Sequence, residues 1–430
     1  HGGRSQRASM YGGDEVSAVV LDIGTSTTKC GFAGEDSPKF VVPSSVGVVG
    51  GEEGASSDGA TRLVGTSALG VRRDGMRVES ALTDGIVTNW DAAEALISHA
   101  YKSCLCTSAA EHPVLMAEPS FNTPAAREKM AELLFEQFSA PALFLSKAAV
   151  LSAFAAGRGT ALVLDVGGGQ ASAVAVHDGY VLNKPLRRSP LGGDRIAELM
   201  LTSLQSRESP PPLRPLYTLK SPGGADFPGT HPSYLRHAQL SLLREAKECV
   251  CRLPPAPPAE GAPLEASAWE YELPDRSTVD LAWERLHLPE LLFTPGLLRT
   301  AYGAPPATAQ RDALASAVPD GQLGLPEMVA DCIRACDTDM RRELWGGIVV
   351  SGGGSLLPGL TDRLQARLGE IVPQTSMKVK MIAATAPAER RFAVWIGGSI
   401  LASLGSFQQL WLSKQEYDEQ GASAIHRKCP

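Results

Sequence analysis

The sequence predicts an α/β protein of two lobes, each built around a copy of the same strand-turn-strand hairpin. Two β-branched runs end at the related turns Asp22-Ile-Gly24 and Asp165-Val-Gly167, and a third glycine-rich turn follows an apolar run near residue 350. The 430 residues, 43% of them apolar, are enough for more than one hydrophobic core. These observations together favour a duplicated fold over a single sheet.

The first hairpin runs from Val16 to Lys29 and the second from Ala161 to Tyr180. In each, a strand that reads as buried delivers an aspartate to its end, a turn of small residues follows, and a second strand returns beside the first. The third turn, Gly352 to Ser355, separates the run that starts at Gly347 from a helical pattern over 360–368. We therefore expect another strand-turn-helix junction there.

Helices are expected between these strands. The clearest begins at Thr123-Pro124, where a capping hydroxyl precedes a proline at the first helical position. Its apolar residues recur at helical spacing and are expected in the core: Met130, Leu133, Leu134 and Phe138. Residues 44–75 are rich in Gly, Ser and Glu and predict a small or mobile subdomain, whereas the proline-rich stretches 209–215 and 254–263 predict loops.

Composition excludes several classes of protein. Forty Lys and Arg against 47 Asp and Glu give a net charge of −7, which argues against a nucleic-acid backbone as the main ligand. No apolar run approaches the roughly 20 residues of a membrane helix, and the first nine residues lack a signal-peptide core. A soluble, intracellular protein is expected. The eight cysteines form no C-x-x-C pair, so reduced thiols are expected and a structural zinc site is not.

Turns of small residues leave backbone N–H groups free to bind phosphate oxygens. Two such turns that face each other could clamp a polyphosphate, with Lys29 adding a cation and Asp22 and Asp165 holding a hydrated divalent metal. A single Asp-x-Gly turn is more often an ordinary tight turn, but the repetition favours a nucleotide cleft. The candidate phosphate-binding residues are Gly24, Thr25, Ser26, Gly167, Gly168 and Gly169.

These paired hairpins resemble the phosphate loops of the actin, hexokinase and heat-shock ATPase superfamily. The match to actin is closer, and it is carried by segments along the whole chain: Gly31–Asp36, Asp84–Asp91, Glu111–Leu115, Arg127–Met130, Trp395–Leu404 and Gln415–Pro430. The resemblance implies an actin-like two-lobe fold, with duplicated domains flanking a cleft that binds ATP or ADP with Mg²⁺ or Ca²⁺.

The same resemblance implies four subdomains. They are subdomain 1 from 1–43, 81–155 and 393–430, subdomain 2 from 44–80 with an altered loop, subdomain 3 from 156–191 and 301–392, and subdomain 4 from 192–300 with the proline-rich inserts.

Four further segments are similar to the actin-related protein 4 subfamily: Tyr11–Val16, Val114–Pro119, Leu145–Ala155 and Val176–Leu182. That subfamily supplies a nuclear subunit to chromatin remodelling and histone acetyltransferase complexes. The resemblance therefore implies a nuclear scaffold that pairs with actin on a helical segment of a remodelling ATPase and reaches chromatin or histones through the complex. It implies no membrane contact and no direct sequence-specific DNA binding.

The resemblance also implies the base and ribose contacts. Lys247 and Glu248 would lie near the ribose and adenine; the less favoured alternative is that both belong to a solvated helix face. The remaining pocket residues would be Gly352, Gly353, Ser355, Leu357 and Arg391. Leu357 stands where the family has tyrosine and Arg391 where it has lysine, so the pocket is altered but still apolar on one side and cationic on the other.

Departures from the family concern hydrolysis and assembly. Ala148 stands where actin has the glutamine that positions the attacking water, Ser172 replaces a histidine and Gly168 an aspartate. We expect ATP binding with very slow or absent turnover, and no enzymatic role. The loop within 44–80 lacks the apolar residues that insert into a neighbouring subunit, so no homopolymer is expected.

Two other functions stay open from the sequence alone. A cytoskeletal, filament-forming ATPase is disfavoured by Ala148, the altered loop and the proline-rich stretches. A sugar or acetate kinase on the same fold is weaker still, because the actin-like C-terminal segment has no role in small-molecule chemistry.

Overall fold

The computed structural model describes residues 17–51, 59–219, 227–256, 269–299, 308–372 and 378–430. Three stretches discussed above lie wholly or partly outside these ranges: Tyr11–Val16, the altered loop at 52–58 and the second proline-rich stretch. In the described ranges, no helix is both long and apolar enough to cross a membrane.

Runs of strands and runs of helices follow one another along the chain. The strands are β1 Val19–Ile23, β2 Thr27–Phe32, β3 Phe40–Pro43, β4 Ser45–Val49, β5 Thr61–Val64, β6 Arg77–Ser80, β7 Leu82–Thr83, β8 Ile86–Val87, β9 Val114–Glu118, β10 Ala142–Lys147, β11 Ala161–Val166, β12 Ala171–His177, β13 Tyr180–Val181, β14 Arg187–Ser189, β15 Glu270–Glu272, β16 Thr278–Asp280, β17 Ile348–Ser351, β18 Met381–Ala383 and β19 Leu412–Ser413. The α-helices are α1 Thr66–Leu69, α2 Trp90–His99, α3 Pro124–Glu132, α4 Ala148–Ala155, α5 Gly193–Gln205, α6 Pro232–Val250, α7 Ala282–Glu290, α8 Thr308–Ala317, α9 Leu325–Arg334, α10 Thr338–Trp345, α11 Leu360–Ile371, α12 Pro387–Arg391, α13 Ala393–Ser403, α14 Lys414–Gln420 and α15 Ala424–Lys428. Short 3₁₀ segments span Ala109–Glu111, Leu216–Thr218, Pro295–Arg299, Gly353–Leu356 and Gly405–Gln409, and π-helical turns extend α2 over Ala100–Leu105 and α3 over Leu133–Gln137.

Two large sheets repeat one topology. In the first, β1 pairs antiparallel with β2 and parallel with β9, and β9 pairs parallel with β10. In the second, β11, β12, β17 and β18 are joined in the same way. A further strand lies antiparallel beside each hairpin, β3 in the first sheet and β13 in the second. The α/β prediction with a duplicated hairpin is therefore confirmed.

Each sheet carries its own hydrophobic core, which defines the two lobes. The core of lobe 1 contains Leu21, Leu115 and the fully buried Trp395, and it includes residues up to Cys429. The core of lobe 2 runs from Leu162 to Val372. The two clusters share no residue, so each lobe has a separate hydrophobic core.

Two helices carry the chain between the lobes, and they pack directly on each other. Helix α4 leads from β10 of lobe 1 to β11 of lobe 2, and α13 returns from lobe 2 to lobe 1. Their backbones are so close that a Cβ atom at Gly397 would lie 1.9 Å from the carbonyl oxygen of Leu151. Only glycine permits this approach. The side chain of Trp395 fixes α13 to lobe 1 by donating from Nε1 to the Val20 carbonyl at 3.0 Å.

The region predicted to be small or mobile has a core of its own. Strand β4 lies between β5 and β6 in a three-stranded sheet, and Val46 and Val48 are buried against α2. The region is small, as predicted. The low apolar content of its sequence gave no sign of this sheet, because a few buried valines are enough when a neighbouring helix covers them.

Other local predictions can also be compared with the structure. Thr123 caps α3 by accepting from the Ala126 N–H at 3.2 Å, and Pro124 is the first helical residue, as predicted. Residues 210–215 form neither helix nor strand. All eight cysteines are free, and the described residues contain no group of three or more His, Cys, Asp or Glu side chains arranged around one metal position.

Candidate nucleotide-binding site

A cleft of about 820 Å³ lies between the lobes. The carboxyl ends of β1 and β11, and the turn after β17, open into it, and α5 and α6 form much of its far wall. Ligands of open α/β sheets bind in this position, outside the carboxyl ends of the strands. The volume is also within the range of small-molecule and cofactor sites.

The two hairpin turns have the same backbone geometry. In the first, the Gly24 N–H donates to the Thr27 carbonyl at 3.1 Å, and in the second the Gly167 N–H donates to the Gln170 carbonyl at 2.9 Å. The tips of the turns touch across the cleft. A Cβ atom at Gly168 would lie 2.0 Å from Ser26 Oγ. The missing side chain is therefore what lets the two turns meet.

Several backbone donors at these tips have no acceptor. Among the described residues, nothing accepts a hydrogen bond from the N–H groups of Thr25, Ser26, Gly168 or Gly169. Buried or half-buried N–H groups are normally paired, so such a cluster is suited to an anion. All six predicted phosphate-binding residues of the two turns line the cleft.

The charged residues at the strand ends lie together at the base of the turns. Lys29 Nζ is 2.8 Å from Asp22 Oδ2, and the two residues face each other across β1 and β2. Asp165 lines the cleft together with these two residues. Burial raises the pKa of Asp165 and the charge of Asp22 adds to this, against a hydrogen bond from Ser351 and the attraction of Lys29. Two carboxylates beside the N–H cluster fit a divalent cation bound mainly through water.

The third turn packs against the second. Gly352 has a φ of 88°, and a Cβ atom there would lie 2.4 Å from the Val166 carbonyl oxygen. Three predicted residues beyond it line the cleft: Gly353, Leu357 and Arg391. Ser355 is the exception. It is buried, does not line the cleft, and donates its hydroxyl to the Gly352 carbonyl at 2.7 Å, so it shapes the turn instead.

Helix α6 brings Lys247 and Glu248 to the same wall of the cleft. Lys247 is half-buried and its Nζ donates to the Gly193 carbonyl at 3.0 Å. Burial lowers its pKa, against the attraction of Asp194 and Glu248. Glu248 is exposed. The solvated-face interpretation therefore does not fit Lys247, although it stays open for Glu248.

Ala148 is the first residue of α4 and lines the cleft between the lobes. Its methyl group can neither donate nor accept a hydrogen bond to a water molecule. Lys147, one residue earlier, points to Glu118, with Nζ 2.7 Å from Oε1. Ser172 lies opposite Asp165 on β12 and also lines the cleft.

Three residues of the site were not predicted from the sequence. Asp194, the second residue of α5, lies beside the turns, Arg244 pairs with it from α6, and His237 lines the cleft about two helix turns before Arg244. The only sequence signal was Gly192-Gly193-Asp194 at the start of an amphipathic helix, which is also an ordinary acidic helix start.

The outer end of the cleft is bridged by hydrogen bonds of backbone and side-chain groups that we call the outer clasp, formed by residues 69–78 and 227–234. The Tyr234 hydroxyl donates to the Leu69 carbonyl at 3.0 Å, and the Gly75 N–H donates to the Gly229 carbonyl at 2.8 Å. Two further bonds join Arg72 to Thr230 at 2.6 Å and Val78 to Ser233 at 2.9 Å. The clasp closes the cleft on the side away from the strand ends.

Comparison with known proteins agrees with this architecture. The family model of actin matches residues 13–430. Actin-related protein 4 of Arabidopsis thaliana is 43% identical over 98% of this chain and 100% of its own length, and that of Oryza sativa subsp. japonica is 42% identical over the same shares. Actin-related protein 4 of Schizosaccharomyces pombe is 34% identical over 98% of this chain and 99% of its own length.

The alignments with these proteins cover both lobes. Members of the family bind a nucleotide with a divalent cation, and the paired turns, free N–H donors and strand-end carboxylates described above fit that pair of ligands. The chain belongs to the actin family and is similar along its length to the proteins named actin-related protein 4.

Proposed function

We propose that this protein is a nuclear scaffold subunit of chromatin remodelling and histone acetyltransferase complexes, and that it binds ATP or ADP as a structural ligand with little or no hydrolysis. The observation that carries the nucleotide part is the pair of touching turns that line the cleft, with four N–H groups that find no acceptor among the described residues. The scaffold part is supported by the similarity to actin-related protein 4 over 98% of the chain.

The phosphates would lie against the N–H groups of the two turns, with Lys29 as the cation. Asp22 and Asp165 would hold Mg²⁺ or Ca²⁺ through water molecules, which suits a cation that keeps much of its hydration. The bound metal would neutralise phosphate charge. Leu357 and Arg391 would flank the base, and Lys247 would lie near the ribose; all three line the cleft.

Slow hydrolysis follows from the absence of a group that can orient water at residue 148. Phosphoryl transfer depends on positioning, and loss of a water-positioning or general-base group costs on the order of 10²- to 10⁴-fold in rate. Gly168 and Ser172 remove two further side chains that the family resemblance places there. The ligand would then act by mass action, stabilising the closed protein by about 2.7 kcal/mol when its free concentration is 100 times the Kd.

The test of this part begins with protein purified free of actin. Denaturation and chromatography of the supernatant should release close to one adenine nucleotide per chain, and turnover of added ATP should stay at least 100-fold below that of actin in the same buffer. Turnover as fast as actin's would refute the structural role, and the absence of any bound or bindable nucleotide would refute nucleotide binding.

The proposed partners are actin, a helical segment of a remodelling ATPase and, through the complex, histones. The net charge of −7 suits basic histones better than DNA. Affinity purification from nuclear extract should recover actin together with a remodelling ATPase. Recovery of neither, with the protein found outside the nucleus by microscopy, would contradict the proposal.

A filament-forming ATPase is the alternative. Sedimentation under conditions that polymerise actin separates the two functions, because a scaffold should stay in the supernatant and a filament former should pellet as a homopolymer. The same experiment tests the expected absence of self-assembly.

A further inference from the structure

One chain of polar contacts crosses directly from lobe 1 to lobe 2 beside the phosphate-binding turns. The Ser26 hydroxyl, on the first turn, donates to Asp194 Oδ2, on α5. The other carboxylate oxygen, Oδ1, accepts from Arg244 Nε on α6 at 2.7 Å. Both oxygens of one carboxylate are thus occupied by partners that belong to different lobes.

Asp194 is held in place by the backbone around it. Its own N–H donates to the Gly168 carbonyl at 2.7 Å, and the Gly193 N–H donates to the Gly167 carbonyl at 2.9 Å. The start of α5 is therefore fixed to the second turn. Only 15% of the Asp194 side chain is exposed. Its position cannot change without moving the turn, so it transmits the contact with Ser26 to the phosphate-binding backbone of lobe 2.

The carboxylate is charged in this position. Burial alone would raise its pKa, but Arg244 and the hydrogen bonds from Ser26 and Arg244 outweigh burial, and Lys247 adds to them, so that the pKa of Asp194 is lowered. A hydrogen bond to a charged group is stronger than one between neutral groups. The contact between the lobes is thus a charge-assisted bond shielded from solvent, which a surface ion pair is not.

The same contact explains why residue 168 has no side chain. A Cβ atom there would lie 2.0 Å from Ser26 Oγ and 2.6 Å from Asp194 Oδ2. Any larger residue would separate Ser26 from Asp194 and push the two turns apart. Gly168, Ser26 and Asp194 therefore form one cluster in space, although they lie far apart along the chain.

We propose that Ser26, Asp194 and Arg244 form an interlobe latch, which positions the two phosphate-binding turns against each other and must open before a bound nucleotide can leave. This inference rests on the proposed nucleotide binding and adds the element that controls release. Ser26 and Asp194 act as positioning residues: the latch fixes the spacing of the N–H donors, and breaking it requires the lobes to part.

The first experiment measures the separation of the lobes and needs no nucleotide. Of the eight cysteines, Cys106 in lobe 1 and Cys249 on α6 are exposed and the other six are buried. Spin labels on these two native thiols report the distance between the lobes by electron paramagnetic resonance. We expect one narrow distribution for the unsubstituted protein, and a broader or longer one for Ser26→Ala and Asp194→Asn.

The second experiment measures release of a fluorescent adenosine diphosphate and Mg²⁺ after a chase with unlabelled nucleotide. Loss of one hydrogen bond to a charged group should speed release about tenfold in either variant. The double variant should release no faster than the quicker single variant, because both changes open one contact.

Two matched controls remove the same groups elsewhere. Ser316→Ala, at an exposed position of α8 outside the cleft, loses a hydroxyl that donates to the Ala313 carbonyl of its own helix at 2.8 Å, and Asp331→Asn breaks an ion pair with Arg187 inside lobe 2. Both should keep the distance distribution and should release nucleotide within twofold of the unsubstituted protein.

The two proposals fail in different ways. If the unsubstituted protein binds nucleotide but the latch variants keep both its distance distribution and its release rate, the latch is wrong and the proposed function stands. A product of single effects in the double variant would also overturn the latch. If no nucleotide binds, the proposed function fails, and the distance distributions alone decide whether the latch holds the lobes.

Discussion

Glycines at positions 168, 169 and 352 bring three stretches of backbone into contact at one end of the cleft. Their role could be predicted from the sequence because turn chemistry is local: small residues after a buried strand leave few other conformations. Asp194 could not be predicted, since its partner Ser26 lies 168 residues away and Arg244 lies 50 residues away. Ser355 was predicted to line the base pocket, whereas its hydroxyl bonds to the backbone of its own turn.

Gly352 and Gly34 allow a matched test of close packing at the third turn. Both have a φ near +90°, but a Cβ atom at Gly34 would meet nothing within 4 Å, whereas one at Gly352 would meet the Val166 carbonyl at 2.4 Å. Gly34→Ala should cost about 1 kcal/mol of unfolding free energy, from the positive φ alone. Gly352→Ala should cost about 3 kcal/mol or more in urea denaturation. Equal costs would show that the third turn is not tightly packed.

His237 should make stability depend on pH. Burial and the neighbouring Arg244 lower its pKa to about 4, from 6.5. The unfolded chain therefore binds a proton between pH 6.5 and 4 that the folded protein does not, so this contribution is complete above pH 6.5 and is lost as the pH falls towards 4. Relative to His237→Gln, the unsubstituted protein should lose on the order of 2 to 3 kcal/mol between pH 7 and pH 4.

The measurement is chemical denaturation of both proteins at a series of pH values. The remaining histidines are common to both, so their titrations cancel in the difference. Parallel curves for the two proteins would mean that His237 is not shielded as described.

At the scale of elements, the start of α3 and the start of α11 were predictable, since a capping pattern and an apolar period fix them locally. The π-helical turns at the ends of α2 and α3 were not. A π-helical turn contains one residue more than an α-helical turn. The spacing of apolar residues in the sequence does not distinguish such a turn from an ordinary α-helix that packs slightly differently. The small sheet of β4, β5 and β6 was missed because its few buried valines depend on α2 as a cover.

Helix α13 should tolerate no side chain at Gly397. A Cβ atom there would lie 1.9 Å from the Leu151 carbonyl oxygen, so Gly397→Ala must push α13 away from α4, at a cost of about 3 kcal/mol. Gly369→Ala on α11 is the control, because a Cβ atom there meets nothing within 4 Å. It should stabilise the protein by about 0.5–1 kcal/mol through helix propensity. Thermal unfolding measures both, and a tolerated Gly397→Ala would contradict the described packing.

At the scale of the whole molecule, the two-lobe fold could be predicted from the repeated hairpin, because two copies of one motif in a chain of this length favour two sheets of the same kind. The assignment of residues to four subdomains stays a prediction. The outer clasp was not predictable, since its hydrogen bonds join residues 69–78 to residues 227–234, which are more than 150 positions away in the sequence.

The outer clasp should slow nucleotide exchange, given the proposed function. Tyr234→Phe removes the hydroxyl that donates to the Leu69 carbonyl and keeps the buried ring. Release of a fluorescent nucleotide should become about three- to tenfold faster, which corresponds to one hydrogen bond of about 1 kcal/mol. Tyr180→Phe, at a 59% exposed site, should leave release unchanged. Equal rates in all three proteins would mean that exchange uses another opening.

Because α4 and α13 cross where the chain passes between the lobes, any change in the angle between the lobes also changes the width of the cleft. Ala148 begins α4 inside the cleft, and α4 leads into lobe 2, so a rotation at the crossing moves part of the cleft wall. Any protein that grips both lobes and favours one angle must therefore change nucleotide affinity, and by thermodynamic reciprocity the nucleotide must change the affinity for that protein by the same factor. Occupancy of the cleft would then report on assembly even where no phosphate bond is ever broken.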